Sequence, residues 1–175
     1  MMPINTFFWM MIAVFALVGA MRGWDRESLV TFSAIVALFL RMVFSTYVPF
    51  VREFLNSRSP TGQFQIYSML IIFMAFVGYA GPVLSTRLAP KASSKKVQDT
   101  LLGGVIGALN GYLIAGSIWY FLHAAGYGQF GILPPPEGSI AYIIATKYLP
   151  PVWLSPVLLL ITVALSFVFV LIVQL

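Results

Sequence analysis

Asp99-Thr-Leu-Leu-Gly103-Gly104-Val-Ile-Gly107-Ala108-Leu109-Asn110-Gly111-Tyr-Leu-Ile-Ala115-Gly116 is the stretch whose reading decides the fold. It lies in a run, residues 100–122, that holds no charged side chain. A helix needs about 20 apolar residues to cross a bilayer core, and this run supplies them. Gly103, Gly107, Gly111 and Ala115 recur every four residues, with Gly104, Ala108 and Gly116 beside them. Such a stripe removes side chains from one helix face, so that another helix backbone can come close. Packing inside one bundle is the commoner use of this pattern, and an oligomer or partner interface is the alternative. Asn110 falls near the middle of the run, where an amide needs a hydrogen-bond partner on a neighbouring helix.

Outward from this stretch, four further runs are long and apolar enough to cross: residues 4–21, 28–47, 64–84 and 153–173. The expected fold is therefore all-α, a polytopic membrane helix bundle of about five transmembrane helices. A four-helix core over residues 1–125 is followed by a proline-rich segment, 126–152, and a fifth helix, 153–175. Composition agrees: 60% of the 175 residues are hydrophobic and 9% are charged, against roughly 25% charged in soluble domains. The first run has no basic segment before it and no small-x-small site after it, so it reads as a retained span. Span one repeats the small-residue pattern more weakly, through Ala16, Ala20, Gly19 and Gly23, which predicts close contact between spans one and four. Gly81-Pro82 predicts a kink or an end in span three, because proline removes a backbone donor and clashes with the preceding turn.

The net charge of +5 sits in short loops, where it reads as a topology signal and a lipid contact, not as a nucleic-acid patch. Arg22, Arg26, Arg87, Lys91, Lys95 and Lys96 lie on one side; Arg41, Arg52, Arg58 and Lys147 lie on the other or near it. Six against four predicts that the first side faces the cytoplasm, with the N-terminus outside and the C-terminus inside. Arg41, inside span two, can snorkel to the outer interface. On that outer side, residues 49–62 suit a short interfacial helix. Residues 134–136 are three consecutive prolines, which favour an extended conformation. Residues 139–148 suit one or two helical turns lying on the membrane, with Tyr127, Tyr142, Tyr148 and Trp153 at headgroup depth.

The chemistry-bearing residues are few. Arg22, Asp25, Arg26 and Glu27 cluster at the inner mouth of the first hairpin, and Asp99 starts span four. Asp99 is well placed as a helix N-cap; the sharper reading pairs Asp99 or Glu27 with Arg22 or Arg26 to lock two hairpins together. The chain has no cysteine and one histidine, His123, which removes thiolate chemistry and a multi-histidine metal site. Gly103-Gly104 with Gly107 lacks the lysine and strand of a phosphate loop. No apolar run shows a mid-membrane carboxylate, which weighs against a proton-coupled carrier. No catalytic, cofactor or metal site is expected. The expected partners are membrane lipids and either other membrane proteins or a second copy, with no nucleic acid.

Two blocks together resemble the bacterial colicin V production protein (CvpA-like) family. The first is Gly19-Ala-Met-Arg22-Gly23-Trp-Asp-Arg26-Glu27-Ser-Leu29, similar to the family's Arg-Gly pair followed two residues on by Arg-Glu between its first two spans. The second is Asp99 to Gly111, similar to an aspartate, a leucine-glycine and a glycine repeat ending in Arg-Gly. The resemblance covers roughly residues 1–125. Asn110 stands where the family often has arginine, so no role requiring a charge there carries over. The resemblance implies a non-enzymatic protein of the bacterial cytoplasmic membrane, N-terminus outward, linked to toxin export and envelope maintenance. Two other classes remain open beside it: an accessory subunit of a larger, energy-transducing membrane complex, and a small channel or transporter.

Overall fold

Among the described residues (3–84, 96–128 and 131–174), the computed structural model is entirely helical apart from its turns and connections. The elements are α1 (Ile4–Arg22), α2 (Trp24–Thr46), α3 (Pro49–Asn56), α4 (Pro60–Leu84), α5 (Lys96–Ala124), α6 (Ile140–Ile143), a π-helical turn (Ile144–Tyr148), α7 (Pro150–Trp153) and α8 (Pro156–Gln174). Among the described residues α1, α2, α4 and α5 are long and apolar enough to cross a membrane, and α8 adds a shorter apolar helix. The protein is an all-α membrane helix bundle. Arg87, Lys91 and Lys95, which carry much of the expected charge bias, lie outside the described residues.

The bundle has a hinge end, where α1 turns into α2, and an opposite strap end. Gly23 alone makes the hinge, at φ 88° and ψ 159°. That φ favours glycine, whose missing Cβ opens the left-handed region. The chain thus reverses within one residue, and α2 begins at Trp24, four residues earlier than the apolar run at Ser28 suggests. The short α3 follows α2 at the strap end, with Leu55 buried and Phe50 80% exposed. α4 runs through Gly81 and Pro82 to Leu84, so neither residue ends the helix.

α5 is the central element. Its glycine stripe lies directly on α1, antiparallel to it. A Cβ on Gly107 would meet the Phe15 carbonyl oxygen and sit 2.9 Å from Gly19 Cα. One on Gly103 would meet the Gly19 carbonyl and sit 3.0 Å from Gly23 Cα; one on Gly111 would lie 2.9 Å from Ile12 Cα. All these neighbours are backbone, so the two helices are in main-chain contact over about two turns. Gly104, by contrast, faces Ala20 Cβ at an ordinary 3.5 Å. α2 and α4 make a similar approach at Gly78, whose added Cβ would stand 2.9 Å from Val30 Cα.

The segment after α5 forms the short helical turns expected over 139–148 and packs back onto the bundle. Leu149, Pro150 and Ala145 are buried, and Ala141, Ala145 and Leu149 share a core cluster with Phe8, Trp119, Leu122 and Tyr127. Pro150 Cδ occupies the notch left by Gly116, 2.8 Å from where its Cβ would be. Since Gly116 stands eight residues before the end of α5, the strap dips about 12 Å along that helix. Tyr127, expected at headgroup depth, is 2% exposed. Trp119 Nε1 donates to its hydroxyl at 2.9 Å and His123 Nδ1 lies 3.2 Å from it. Tyr112 donates to the Tyr148 carbonyl and accepts from Trp153 Nε1 at 2.8 Å. These bonds hold the strap against α5 and leave Tyr148 and Trp153 partly outside.

Candidate functional site

The strongest concentration of buried polar groups lies near the hinge end, where α1, α2, α4 and α5 meet. Its centre is Glu27, whose side chain is fully enclosed. Sequence reasoning places Glu27 in a loop, because the apolar run begins after it. The structure corrects that: the helix is already in its first turns at Trp24, so Glu27 points along the same face as Thr31, Ala34 and Leu38, and the latter two are core residues. Spacing by three and four from Leu38 back to Glu27 is the signal that could have found it. A carboxylate therefore does sit between the helices.

A buried carboxylate is tolerated only when paired and hydrogen-bonded. Arg22, the last residue of α1, brings Nε to 2.8 Å from Glu27 Oε1. Asn110 donates both amide hydrogens to the same residue, to Oε2 at 2.8 Å and to the backbone carbonyl at 3.0 Å. Its Oδ1 accepts from the Thr31 hydroxyl at 2.6 Å, so this amide is fully used. Tyr79 on α4 reaches Oε2 over a longer 3.4 Å, and its ring lies 4.5 Å under the Arg22 guanidinium. Each helix of the core thus contributes one group to Glu27.

Asp99 has a different job from the one expected. α5 is already helical at Lys96, so Asp99 lies inside its first turns and not at the cap position. Its Oδ1 accepts from the backbone N–H of Trp24 at 3.2 Å, which caps α2 instead. The negative charge there also suits the positive end of the α2 dipole. Gly23 makes room for it: an added Cβ would meet Asp99 Oδ2 at 2.8 Å. Arg26 is half-buried and has no ion pair among the described residues; its backbone N–H donates to Asp25 Oδ1 at 2.8 Å. The structure therefore brings Arg22, Glu27 and Asn110 together, sets Asp99 beside them at the hinge, and leaves Arg26 out.

Arg41 lies far from this network, toward the strap end of α2, and stacks against Tyr67, Tyr120 and Phe121. Sequence reasoning missed this ring of aromatics, as it missed Thr31, Tyr79, Gly78 and the Gly116 notch. Among the described residues no three His, Asp or Glu side chains group as a metal site. The geometry at Glu27 can join four helices at one level. Its oxygens are taken up by Arg22, Asn110 and Tyr79.

The family model described as colicin V production protein matches residues 4–133. No curated protein and no solved structure matches the chain. The matched region takes in the Gly23 hinge, the Glu27 network with its partners from α1, α4 and α5, and the whole glycine stripe. The chain belongs to the colicin V production protein family.

Proposed function

We propose that this protein acts without catalysis, as a bacterial cytoplasmic-membrane protein that supports toxin production or export, or envelope maintenance, through helix–helix and lipid contacts. One observation carries the reading: Glu27 is spent on Arg22, Asn110 and Tyr79, groups from three other helices. A carrier needs polar groups that can exchange partners with a solute, whereas these clamp the bundle. The hinge end faces the cytoplasm in this reading, where Arg26 with the basic connection between α4 and α5 meets anionic lipid headgroups. The N-terminus is then outside and the C-terminus inside.

The test is genetic and biochemical together. A deletion strain should leak periplasmic protein, and wild-type protein should restore the barrier, while Glu27→Ala should restore it poorly. Reconstituted protein should pass no ions or small solutes through liposome membranes. Solute flux that depends on the protein would sink the reading in favour of a channel or carrier.

A second reading, accessory subunit of a larger membrane complex, is favoured by the seating of α8. That helix rests on α2 and leaves a cleft of about 230 Å³ toward α5, lined by Ser28, Thr31, Ile106, Leu109, Ser166 and Phe169. A few apolar side chains of a partner helix lying against α8 would fill it. Stoichiometric co-purification in mild detergent supports this reading, and repeated isolation as a free protein counts against it.

A further inference from the structure

A guanidinium inside a membrane bundle needs a counter-charge, and Arg41 has none among the described residues. It lies on α2 five residues before the helix ends at Thr46, about 7 Å along the axis. Its guanidinium carbon is 4.8 Å from the Tyr67 ring centre, 5.0 Å from Phe121 and 5.7 Å from Tyr120. These rings, from α4 and α5, hold the cation by their negative faces but leave its charge uncancelled. Nε is enclosed with no hydrogen-bond partner, and no carboxylate pairs with the side chain among the described residues. The terminal nitrogens are not enclosed.

A second, independent set of groups lies on the elements that build this cage. Ser68, next to Tyr67 on α4, is 7% exposed, and Ser117, one turn before Phe121 on α5, is fully buried. Both hydroxyls lack a hydrogen-bond partner. Neither the Tyr67 nor the Tyr120 hydroxyl makes a hydrogen bond among the described residues. Buried polar groups are nearly always paired, so an uncancelled cation with an enclosed Nε and two unspent phenols beside it needs an explanation. A shared acceptor of negative charge supplies one.

We propose that Arg41, with Tyr67 and Tyr120, binds the phosphate of an anionic phospholipid headgroup in the leaflet at the strap end. The planar fork of arginine matches two phosphate oxygens, and the tyrosine hydroxyls can donate to the same group. Arg41 lies within about 7 Å of the strap end of α2, so the nearer leaflet is the one at that end. Free phosphate from the aqueous side offers the same chemistry, and the experiment separates the two sources. This site is remote from the Glu27 network and stands whether or not the scaffold reading does.

The full chain, purified in a neutral detergent, is offered phosphatidylglycerol and phosphatidylcholine, and the lipid retained is measured by native mass spectrometry. Both lipids carry a phosphate, but phosphatidylcholine offsets it with a quaternary ammonium, so wild type should retain phosphatidylglycerol in preference by about tenfold, the change expected when a net negative headgroup cancels one unpaired cation. Arg41→Gln should bring the ratio close to one, while Gly104→Ala, a tolerated change near the hinge end, should leave it unaltered. Inorganic phosphate that strips the bound lipid would make the free ion the source; lipid that resists it confirms the headgroup. Equal ratios for wild type and folded Arg41→Gln overturn the proposal. Should Arg41→Gln not fold, Arg41→Lys keeps the charge in the cage and removes the fork: a several-fold fall in the phosphatidylglycerol retained supports the site, and wild-type retention overturns it.

Discussion

Consider Gly107→Ala beside Gly104→Ala, two substitutions of the same chemistry three residues apart on α5. Each removes the conformational freedom of a helical glycine, a gain of about 1 kcal/mol in either case. Their surroundings differ. The Gly107 methyl would be driven into the Phe15 carbonyl and stand 2.9 Å from Gly19 Cα and 3.1 Å from the Phe15 carbonyl carbon. Those atoms belong to α1 backbone and cannot rotate away, so the helices must part by roughly 1 Å, well past what close-packed interiors absorb. The Gly104 methyl meets Ala20 Cβ at 3.5 Å, an ordinary contact. The propensity gain cancels in the comparison and leaves the overpacking term, about 1–3 kcal/mol against Gly107→Ala. Reversible unfolding in mixed micelles, followed by helical circular dichroism, reads the difference directly. Equal stabilities for the two variants would falsify the main-chain contact between α1 and α5. Gly107→Leu extends the series and should prevent the bundle from closing.

Three further outcomes are expected. Glu27→Gln should destabilise by about 1–3 kcal/mol, less than the 3–5 of a fully buried pair because Arg22 is 25% exposed, and combination with Arg22→Gln should recover part of the loss in a double-mutant cycle. Asp99→Ala should cost about 0.5–2 kcal/mol by freeing the Trp24 N–H, and hydrogen exchange should rise in the first turn of α2 and not in that of α5; faster exchange confined to α5 would show that Asp99 caps its own helix. At the strap, burial pushes the Tyr127 phenol above the ordinary tyrosine value, and donation from Trp119 pulls it part of the way back. A raised folded pKa means the contribution is fully present below pH about 10 and is lost as pH rises through the folded value. Ultraviolet difference titration of wild type against Tyr127→Phe should place this ionisation above that range, and ionisation below pH 10 would refute the buried seat.

Much of the architecture was legible because its signals are local. Apolar length and a scarcity of charge mark the long helices without reference to what they touch, since a bilayer rewards those properties one segment at a time. The four-residue recurrence from Gly103 to Gly111 marks a bare helix face for the same reason, and Gly19 and Gly23 mark another. The functional groups were legible only as residue types. Arg22, Glu27, Asp99, Arg41 and Asn110 stand out by polarity against an apolar background, but polarity does not name a partner.

Tertiary structure alone decided the partners. Asn110 meets Glu27 across 83 residues, Trp24 meets Asp99 across 75, and Arg22 meets Tyr79 across 57. Asp99 thereby caps a helix other than its own, Glu27 moves from an apparent loop to an enclosed site between four helices, and Pro150 enters a notch that Gly116 leaves open. No periodicity within one helix encodes such pairings, because they depend on which faces the other helices present and at what depth. The sequence by itself determined that the chain would live in a membrane as helices, two of them with bare small-residue faces. Packing determined which polar groups would find each other, because in a low-dielectric interior each must be satisfied by a neighbour that only the assembled bundle supplies.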